Sequence, residues 1–411
     1  MSASTSDSYD EYHALLARQE AMRLRRRMLA PASGPHGGPG APYDGAADRE
    51  TILRTLPLVT PFDRLIDHLY RAMFAGHPYL RGLFPASMAF QRAHLERAFR
   101  FLVEHLDRPA ELAAFCARLG RDHRKLGVRP VHFQVFEAAL TEALRRSAGE
   151  RWTREPEEAW LRMVRFAVSA MLDGANAALT EPAFWNATVT RHEVQGPGIG
   201  VLRVRPAEPY PYRAGQFATV ESPLLPHAWR PYAVACAPRA DGELEFHVRR
   251  TGPGGVSDAL VTRTRVGDPL RLGPAQGGPP PAGAAPGREV LIVAAGTGWA
   301  AAKALLDDLA LSRPPYPRTR LLLGAAGPAD LYDTDAVTER ERRHGWLRVV
   351  PVLGAGGPDG SALADAVLRH GDWSRHLVWV CGPREAVTTV AGRLAEAAGV
   401  PADRLHTVET G

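Results

Sequence analysis

The chain has 411 residues, more than one hydrophobic core usually serves, and at about 150 residues per domain this length predicts two or three domains. Its formal net charge of +5 and its pI of about 9.3 are modest for this length, and acidic residues are interspersed among the basic ones. These values argue against the concentrated positive charge of a nucleic-acid-binding protein.

The cysteine content indicates a reducing compartment. Three cysteines without paired spacing do not form a disulfide framework. No apolar run approaches the roughly 20 residues that a membrane-spanning helix needs. The basic cluster at residues 23–27 is not followed by the apolar segment of a secretory signal. We therefore expect a cytoplasmic protein with no transmembrane segment.

Residues 1–47 are predicted to be a partly disordered N-terminal extension. A helix is predicted over residues 9–28, and the Ala-, Pro- and Gly-rich sequence that follows has little to bury. The cluster at residues 23–27 indicates a solvated helix face. Contact with an anionic surface or with a protein partner, whose identity the sequence does not give, is the alternative.

Residues 48–180 show helical periodicity without the alternation of strands. Thr60 and Pro61, followed by Asp63, predict a helix start with a capping hydroxyl. Further helices are predicted over residues 87–106, 109–123, 130–146 and 155–172.

Two polar aromatic side chains lie on the apolar faces of these helices. His123 follows Leu112, Phe115 and Leu119 at helical spacing, so its imidazole faces the core. A core histidine bonded to a backbone carbonyl is the simpler alternative. Tyr70 lies on the face of the first predicted helix, where an ordinary buried phenol is the alternative.

A tyrosine, a glutamine and a histidine on successive helices, with the segments at residues 68–84 and 122–130, resemble the bacterial flavohaemoglobins. In that family a globin is fused to a ferredoxin-reductase-like module. The resemblance implies a haem b pocket, and His94, one turn beyond the glutamine, is a rival for the distal side. It assigns the distal side of the pocket to Tyr70, Phe84, Gln91 and Leu95, and the iron to His123.

The proximal side departs from the family pattern. Where the family has a tyrosine and a glutamate supporting the proximal histidine, this chain has Phe133 and Ala177, and Asp122 replaces the lysine before the histidine. A hydrogen bond from such a partner raises the basicity of a ligating imidazole. Without it, we expect weaker electron donation to bound oxygen.

From residue 184 short, partly alternating runs predict an antiparallel barrel over residues 184–273. This region contains three motifs, which are Gln216-Phe217, Arg230-Pro231-Tyr232-Ala233 and Gly254-Gly255-Val256-Ser257. They resemble the flavin domain of ferredoxin reductases, and the resemblance implies FAD. The tyrosine would lie against the isoalloxazine, the arginine would face the pyrophosphate, and the double glycine would cradle phosphate. Ala233 replaces the usual hydroxyl near flavin N5.

After a linker at residues 273–287, apolar strands alternate with helices over residues 288–411, which predicts a parallel sheet covered on both faces. Gly296-Thr297-Gly298 follows the first strand, where a pyrophosphate can approach a helix N-terminus. Cys381-Gly382-Pro383 resembles the family segment that abuts the nicotinamide. Because residues 324–327 carry no basic side chain for a 2′-phosphate, NADH is favoured and NADPH is the alternative.

The predicted fold class is therefore multidomain, with an all-α globin, an antiparallel β-barrel FAD domain and an α/β parallel-sheet NAD-binding domain. The resemblance implies electron transfer from NADH through FAD to the haem, with oxygen and nitric oxide as substrates and nitrate as product. Two alternatives remain open. One is a haem redox sensor or slow oxygen reductase, and the other is an NADH-dependent electron-transfer flavoprotein without haem.

Overall fold

The structure, a computed structural model, describes residue 43 and residues 45–410, except positions 197, 279–287, 356 and 358. The chain divides into two compact units, Met1–Ala183 and Phe184–Gly411. The predicted helix over residues 9–28, the basic cluster at residues 23–27 and most of the linker lie outside the described residues.

The described part of the first unit is helical. Its apolar side chains form one core that includes Phe62, Phe99 and Trp160, whose rings meet at tilted or edge-on angles. Pro130 begins its helix as predicted, because its fixed φ suits a first helical position. The helices are α1 (Gly45–Val59), α2 (Phe62–Gly76), α3 (Ala89–Glu104), α4 (Pro109–His123), α5 (Pro130–Ala148) and α6 (Arg154–Ala177).

The prediction that Thr60 caps α2 was wrong. Pro61 is the N-cap residue of that helix and no side chain caps it. The Thr60 hydroxyl instead donates to the carbonyl oxygen of Leu56, 3.0 Å away, at the end of α1. Threonine readily forms such a bond to the carbonyl four residues earlier. Helix α1 was not among the predicted helices, and it contains an internal proline, Pro57.

Helices α4 and α6 cross at backbone distance. A Cβ atom on Gly120 would overlap the carbonyl oxygen of Met171, and one on Gly174 would overlap the carbonyl oxygen of Ala117. Glycine at both positions allows this approach. The helix that ends in His123 is thus held directly against α6.

The second unit begins with an antiparallel sheet in the order β4-β3-β6-β1-β2-β5. Its edge strands also meet, because Val234 bridges to Phe246 and the Ala235 amide donates to the Glu245 carbonyl oxygen at 2.7 Å. These bonds give the sheet the closure of a barrel. Its strands are β1 (Trp185–Gln195), β2 (Ile199–Pro206), β3 (Phe217–Glu221), β4 (Arg230–Ala233), β5 (Leu244–Arg249) and β6 (Pro269–Leu272).

The remaining strands form a parallel sheet in the order β11-β10-β7-β8-β9. The strands are β7 (Val290–Ala295), β8 (Thr319–Ala325), β9 (Leu347–Leu353), β10 (Leu377–Gly382) and β11 (Leu405–Glu409). The helices that accompany them are α7 (Gly298–Leu311), α8 (Thr334–Arg343), α9 (Ser361–Arg369) and α10 (Arg384–Ala397).

Both faces of the parallel sheet are covered. Ile292 of β7 packs in one core with side chains of α7, while its neighbour Val293 packs in another core with side chains of α9 and α10. The predicted fold class is confirmed: helices, an antiparallel barrel and a parallel sheet follow one another along the chain. No helix among the described residues is long and apolar enough to cross a membrane.

Candidate functional site

His123 ends α4 with its ring nitrogens in different roles. Nδ1 lies 2.8 Å from the carbonyl oxygen of Leu119, to which it donates. That bond fixes the tautomer and leaves the lone pair on Nε2, the ring atom that could bind a metal. Burial lowers the pKa of His123, so the ring is neutral, which is the form that binds metals.

The hydrogen bond alone does not distinguish His123. His94, His105 and His370 also place Nδ1 against the carbonyl oxygen four residues earlier. The surroundings differ, because Leu119 packs against the helical core, whereas the rival His94 is exposed and meets Arg97. The neighbourhood of the ring therefore favours His123 as the metal ligand.

Tyr70 on α2 is buried in the same core. Its ring stacks on Phe74 at 5.8 Å and meets Phe84 edge-on at 5.7 Å, both between ring centroids. Burial raises the pKa of Tyr70 to about 12, so its hydroxyl stays protonated and can donate a hydrogen bond. Phe84 directly follows the short helical turn Pro78–Leu83 and touches both rings.

Gln91 supplies an unsatisfied polar atom to this region. Its Oε1 atom is buried, and within the described residues it has no hydrogen-bond partner. Such an atom costs about 1–3 kcal/mol unless a further group satisfies it. One turn later on α3, Leu95 packs against the core that contains Tyr70. The neutral imidazole of His123, the phenol of Tyr70 and the unpaired amide oxygen of Gln91 fit a pocket for a haem that binds a polar molecule such as oxygen.

The two positions compared above with the proximal tyrosine and glutamate, Phe133 and Ala177, offer the His123 imidazole no polar side chain. Phe133 packs against the apolar core, and Ala177 is the last residue of α6. The only hydrogen bond that the described structure gives the His123 ring is the one to Leu119. Asp122 forms an ion pair with the buried Lys125.

The predicted flavin residues lie on two paired strands. Phe217 faces Ala233 and Ala218 faces Tyr232 in the register of β3 and β4. Gln216 holds the preceding turn, since its Oε1 atom accepts the Arg213 amide at 2.8 Å. The remaining motif members, Arg230 and Pro231, begin β4. Arg230 donates to the Trp229 carbonyl oxygen at 2.9 Å, and Tyr232 is buried in the barrel core.

The double-glycine segment begins a short helical turn. Val256 packs in the same barrel core as Tyr232, which brings these two predicted motifs together. Ser257 contacts Thr251 through their hydroxyl oxygens at 2.9 Å. The Gly254 amide, which we expected to face phosphate, donates to the Asp258 carboxylate at 2.8 Å. Gly255, the second glycine of the motif, is the N-cap residue of the turn.

The two nucleotide motifs meet at the C-terminal ends of β7 and β10. The strand order reverses between these neighbours, which is where α/β sheets bind ligands. Gly296 adopts φ of +54°, and a Cβ atom on Gly298 would overlap the carbonyl oxygen of Cys381. Burial raises the pKa of Cys381 to about 12, so its thiol is neutral. The Gly382 carbonyl oxygen, immediately before Pro383, accepts the Thr410 amide at 2.7 Å.

Sequence reasoning missed two residues at this edge. Thr410, the residue after β11, lies 3.3 Å from Thr297 between hydroxyl oxygens. A guanidinium nitrogen of Arg249, on β5, lies 3.4 Å from the position that a Cβ atom on Gly296 would occupy. Both residues come from strands remote in sequence, so no local spacing marks them.

Comparisons with known proteins agree with this architecture. The globin family model matches residues 67–171. The flavohemoprotein of Bordetella pertussis is 29% identical over 284 residues, covering 64% of this chain and 70% of that protein. The flavohemoprotein of Pseudomonas aeruginosa is 26% identical over 391 residues, covering 88% of this chain and 96% of that protein.

A solved structure is similar over nearly the same length. The flavohemoglobin of Malassezia yamatoensis, which has bound FAD and heme, aligns with a TM-score of 0.71 at 18% identity. The alignment covers 89% of this chain and 98% of that one. At this identity the likeness concerns the fold.

Proposed function

We propose that this chain, a globin domain joined to a ferredoxin-reductase-like FAD/NAD module, passes electrons from NADH through FAD to a haem and oxidises nitric oxide to nitrate. The observation that carries the proposal is that one chain holds two regions of different architecture. One is a set of helices that carry His123, Gln91 and the buried Tyr70, and the other is a barrel followed by a nucleotide-type sheet. The predicted domain bounds at residues 48–180, 184–273 and 288–411 are part of the proposal.

The cofactors and the residues have separate roles. A bound haem b would supply one-electron and oxygen chemistry, and a bound FAD would link it to the two-electron chemistry of NADH. His123 would hold the iron through Nε2. Arg230, Tyr232 and Ser257 would hold FAD, and Gly298, by packing against Cys381, would place the start of α7 beside the nucleotide.

The distal residues would stabilise oxygen in the pocket. The Tyr70 hydroxyl keeps its proton at neutral pH and can donate, and the Nε2 group of Gln91 would be a second donor, since the buried Oε1 atom can only accept. Hydrogen bonds in a site of low dielectric are stronger than in water. Oxidation of nitric oxide requires chiefly that oxygen persists in the pocket, whereas O–O cleavage needs proximal electron donation. With Phe133 and Ala177 on that side, we propose nitric oxide oxidation with weak peroxidase activity.

We predict that the purified protein shows a Soret band with flavin absorbance and consumes nitric oxide in a reaction that needs NADH and oxygen. Tyr70→Phe should slow that consumption up to about tenfold, since one hydrogen bond is worth about 1 kcal/mol. Tyr79→Phe is the control, because Tyr79 is 57% exposed.

A nitric oxide electrode and an absorption spectrum measure these outcomes. Holoprotein that NADH reduces readily but that removes nitric oxide no faster than free flavin would contradict the proposed reaction. The function would then be that of a redox sensor or slow oxygen reductase. That alternative is favoured by the single hydrogen bond of the His123 ring, because it implies weak electron donation to the iron. A protein that binds flavin without a Soret band would indicate the electron-transfer flavoprotein.

We also predict a preference for NADH over NADPH of at least about tenfold in kcat/KM, or about 1.4 kcal/mol. Residues 324–330 contain one charged side chain, Asp330, whose carboxylate accepts the Gly327 amide at 3.0 Å. A 2′-phosphate there would meet a negative charge. Stopped-flow flavin reduction tests this, and Ala326→Arg should raise kcat/KM for NADPH. Faster reduction of the wild type by NADPH would reverse the assignment.

Small molecules are the proposed partners: oxygen, nitric oxide and NADH. We propose a cytoplasmic location, which the three free cysteines support because thiols persist in a reducing compartment.

A further inference from the structure

A buried ionic network joins the barrel to the parallel-sheet domain. Lys303 lies on the second turn of α7, and its Nζ atom donates to Oε1 of Glu245 on β5 at 2.6 Å. The same Nζ atom donates to Oδ2 of Asp333, the residue before α8, at 2.8 Å. Lys303 is 7% exposed and Glu245 is 3% exposed. One ammonium group therefore binds carboxylates from both domains.

Neighbouring groups complete the network. His247 lies with Nε2 3.0 Å from Oε1 of Glu245 and with Nδ1 2.9 Å from the Tyr332 hydroxyl oxygen. Burial lowers the pKa of His247 and raises that of Tyr332 well above its usual range. The neutral imidazole thus donates from Nε2 and accepts from the phenol. Trp299 donates to Asp333 Oδ2 at 2.9 Å.

The charges balance around Glu245. Burial alone would raise its pKa, but the hydrogen bond from His247 and the charge of Lys303 outweigh burial and hold the pKa well below its usual range. Arg203 donates to the other carboxylate oxygen at 2.9 Å. Glu245 is therefore ionised and fully paired, as a buried carboxylate must be.

Lys303 occupies the place that a metal ion would take. Glu245, His247 and Asp333 offer ligand atoms within 4.8 Å of one another, a set able to hold a cation. The Lys303 ammonium already bridges the two carboxylates. The chain has only two lysines among its 50 basic residues, which indicates that a compact ammonium, not a planar guanidinium, is required here.

The network connects the two proposed cofactor segments. The Glu245 carbonyl oxygen accepts the amide of Ala235, which lies two residues beyond the proposed flavin strand β4. Lys303 lies on the helix whose first residue, Gly298, packs against Cys381. A continuous path of bonds thus runs from the flavin strand to the nucleotide motifs.

We infer that Lys303 is a positioning residue for hydride transfer: by holding α7 against β5, it places the nicotinamide at transfer distance from the flavin. The inference rests on the proposed use of NADH and FAD. The hydride leaves C4 of the nicotinamide with its electron pair and bonds to flavin N5, which gives NAD⁺ and reduced flavin. Lys303 exchanges no proton in this step and acts through geometry alone, to which such transfers are sensitive.

The test is anaerobic stopped-flow reduction of the holoprotein by NADH. The variant is Lys303→Met with Asp333→Asn, which removes one charge of each sign and so avoids an uncompensated buried carboxylate. We expect the limiting rate at saturating NADH to fall by about tenfold or more. The Kd for NADH and the FAD occupancy should be unchanged. Long-wavelength absorbance from nicotinamide–flavin contact should weaken, which general loss of stability would not cause.

Arg340→Met is the matched control. Arg340 Nη2 lies 2.8 Å from Oδ1 of Asp307, which is on α7 like Lys303. The substitution removes this ion pair and leaves the contacts of Lys303 intact. The control should keep the wild-type rate. Equal losses in both variants, or an unchanged rate in the double variant, would overturn the inference. If the double variant does not fold, Glu245→Gln takes its place under the same criteria. A wild type that NADH does not reduce would contradict the proposed function itself.

Discussion

His123→Ala is expected to abolish stoichiometric haem binding while FAD stays bound. Loss of an outer-sphere partner typically costs a metal site about 10–100-fold in affinity, and loss of the ligand itself should exceed that range. The flavin would remain because the barrel belongs to the other compact unit, with its own core around Tyr232. Soret absorbance per protein and FAD released on denaturation measure the two occupancies.

His105→Ala is the matched control for this prediction. His105 makes the same kind of Nδ1 bond, to the Phe101 carbonyl oxygen at 3.0 Å, at the end of α3. Its replacement should cost about 1 kcal/mol of stability and leave the haem in place. Haem retained by His123→Ala with an unchanged ligand spectrum would remove His123 from the site.

Gly298→Ala is expected to lower the kcat/KM of flavin reduction by NADH by about 100-fold or more. The added methyl group would overlap backbone atoms of Cys381 and Gly382, so the start of α7 must move away from the end of β10. A displacement of about 1 Å can cost 100-fold when reacting groups must be aligned. Dithionite should still reduce the flavin, since it needs no nucleotide site.

Gly392→Ala is the control for Gly298→Ala, on another helix that covers the same parallel sheet. Gly392 lies within α10, and a Cβ atom there would meet nothing within 4 Å. Alanine should stabilise that helix by about 0.5–1 kcal/mol and leave NADH oxidation unchanged. Normal reduction rates in Gly298→Ala would show that the contact between α7 and β10 does not shape the nucleotide site.

Much of the fold followed from local patterns. Spacings of three and four residues predicted the helices that carry Tyr70, Gln91 and His123, because a helix repeats every 3.6 residues whatever it packs against. The switch to alternating runs at residue 184 predicted the barrel for a similar reason. The failures were also local, since α1 contains Pro57 and the Thr60 hydroxyl bonds back to the carbonyl oxygen of Leu56 instead of capping α2.

The candidate residues were predicted one motif at a time, and their roles remain predictions. Sequence supplied the types and order of Arg230, Gly254 and Gly296, but each motif is a short run that an ordinary turn would also produce. The structure adds that Gly298 and Cys381 are packed together, and that the Gly254 amide is bonded to Asp258. These are relations between segments, which no single motif contains.

The sequence by itself thus determined the class and order of the helical, barrel and parallel-sheet regions, since hydrogen bonding within a helix and the alternation of a strand depend on near neighbours. Only the tertiary structure decided which polar groups meet in the interior. Lys303 and Glu245 are 58 residues apart, and Thr297 and Thr410 are 113 apart. Such pairs carry no periodic pattern, because strand order and helix packing bring them together after the local elements exist.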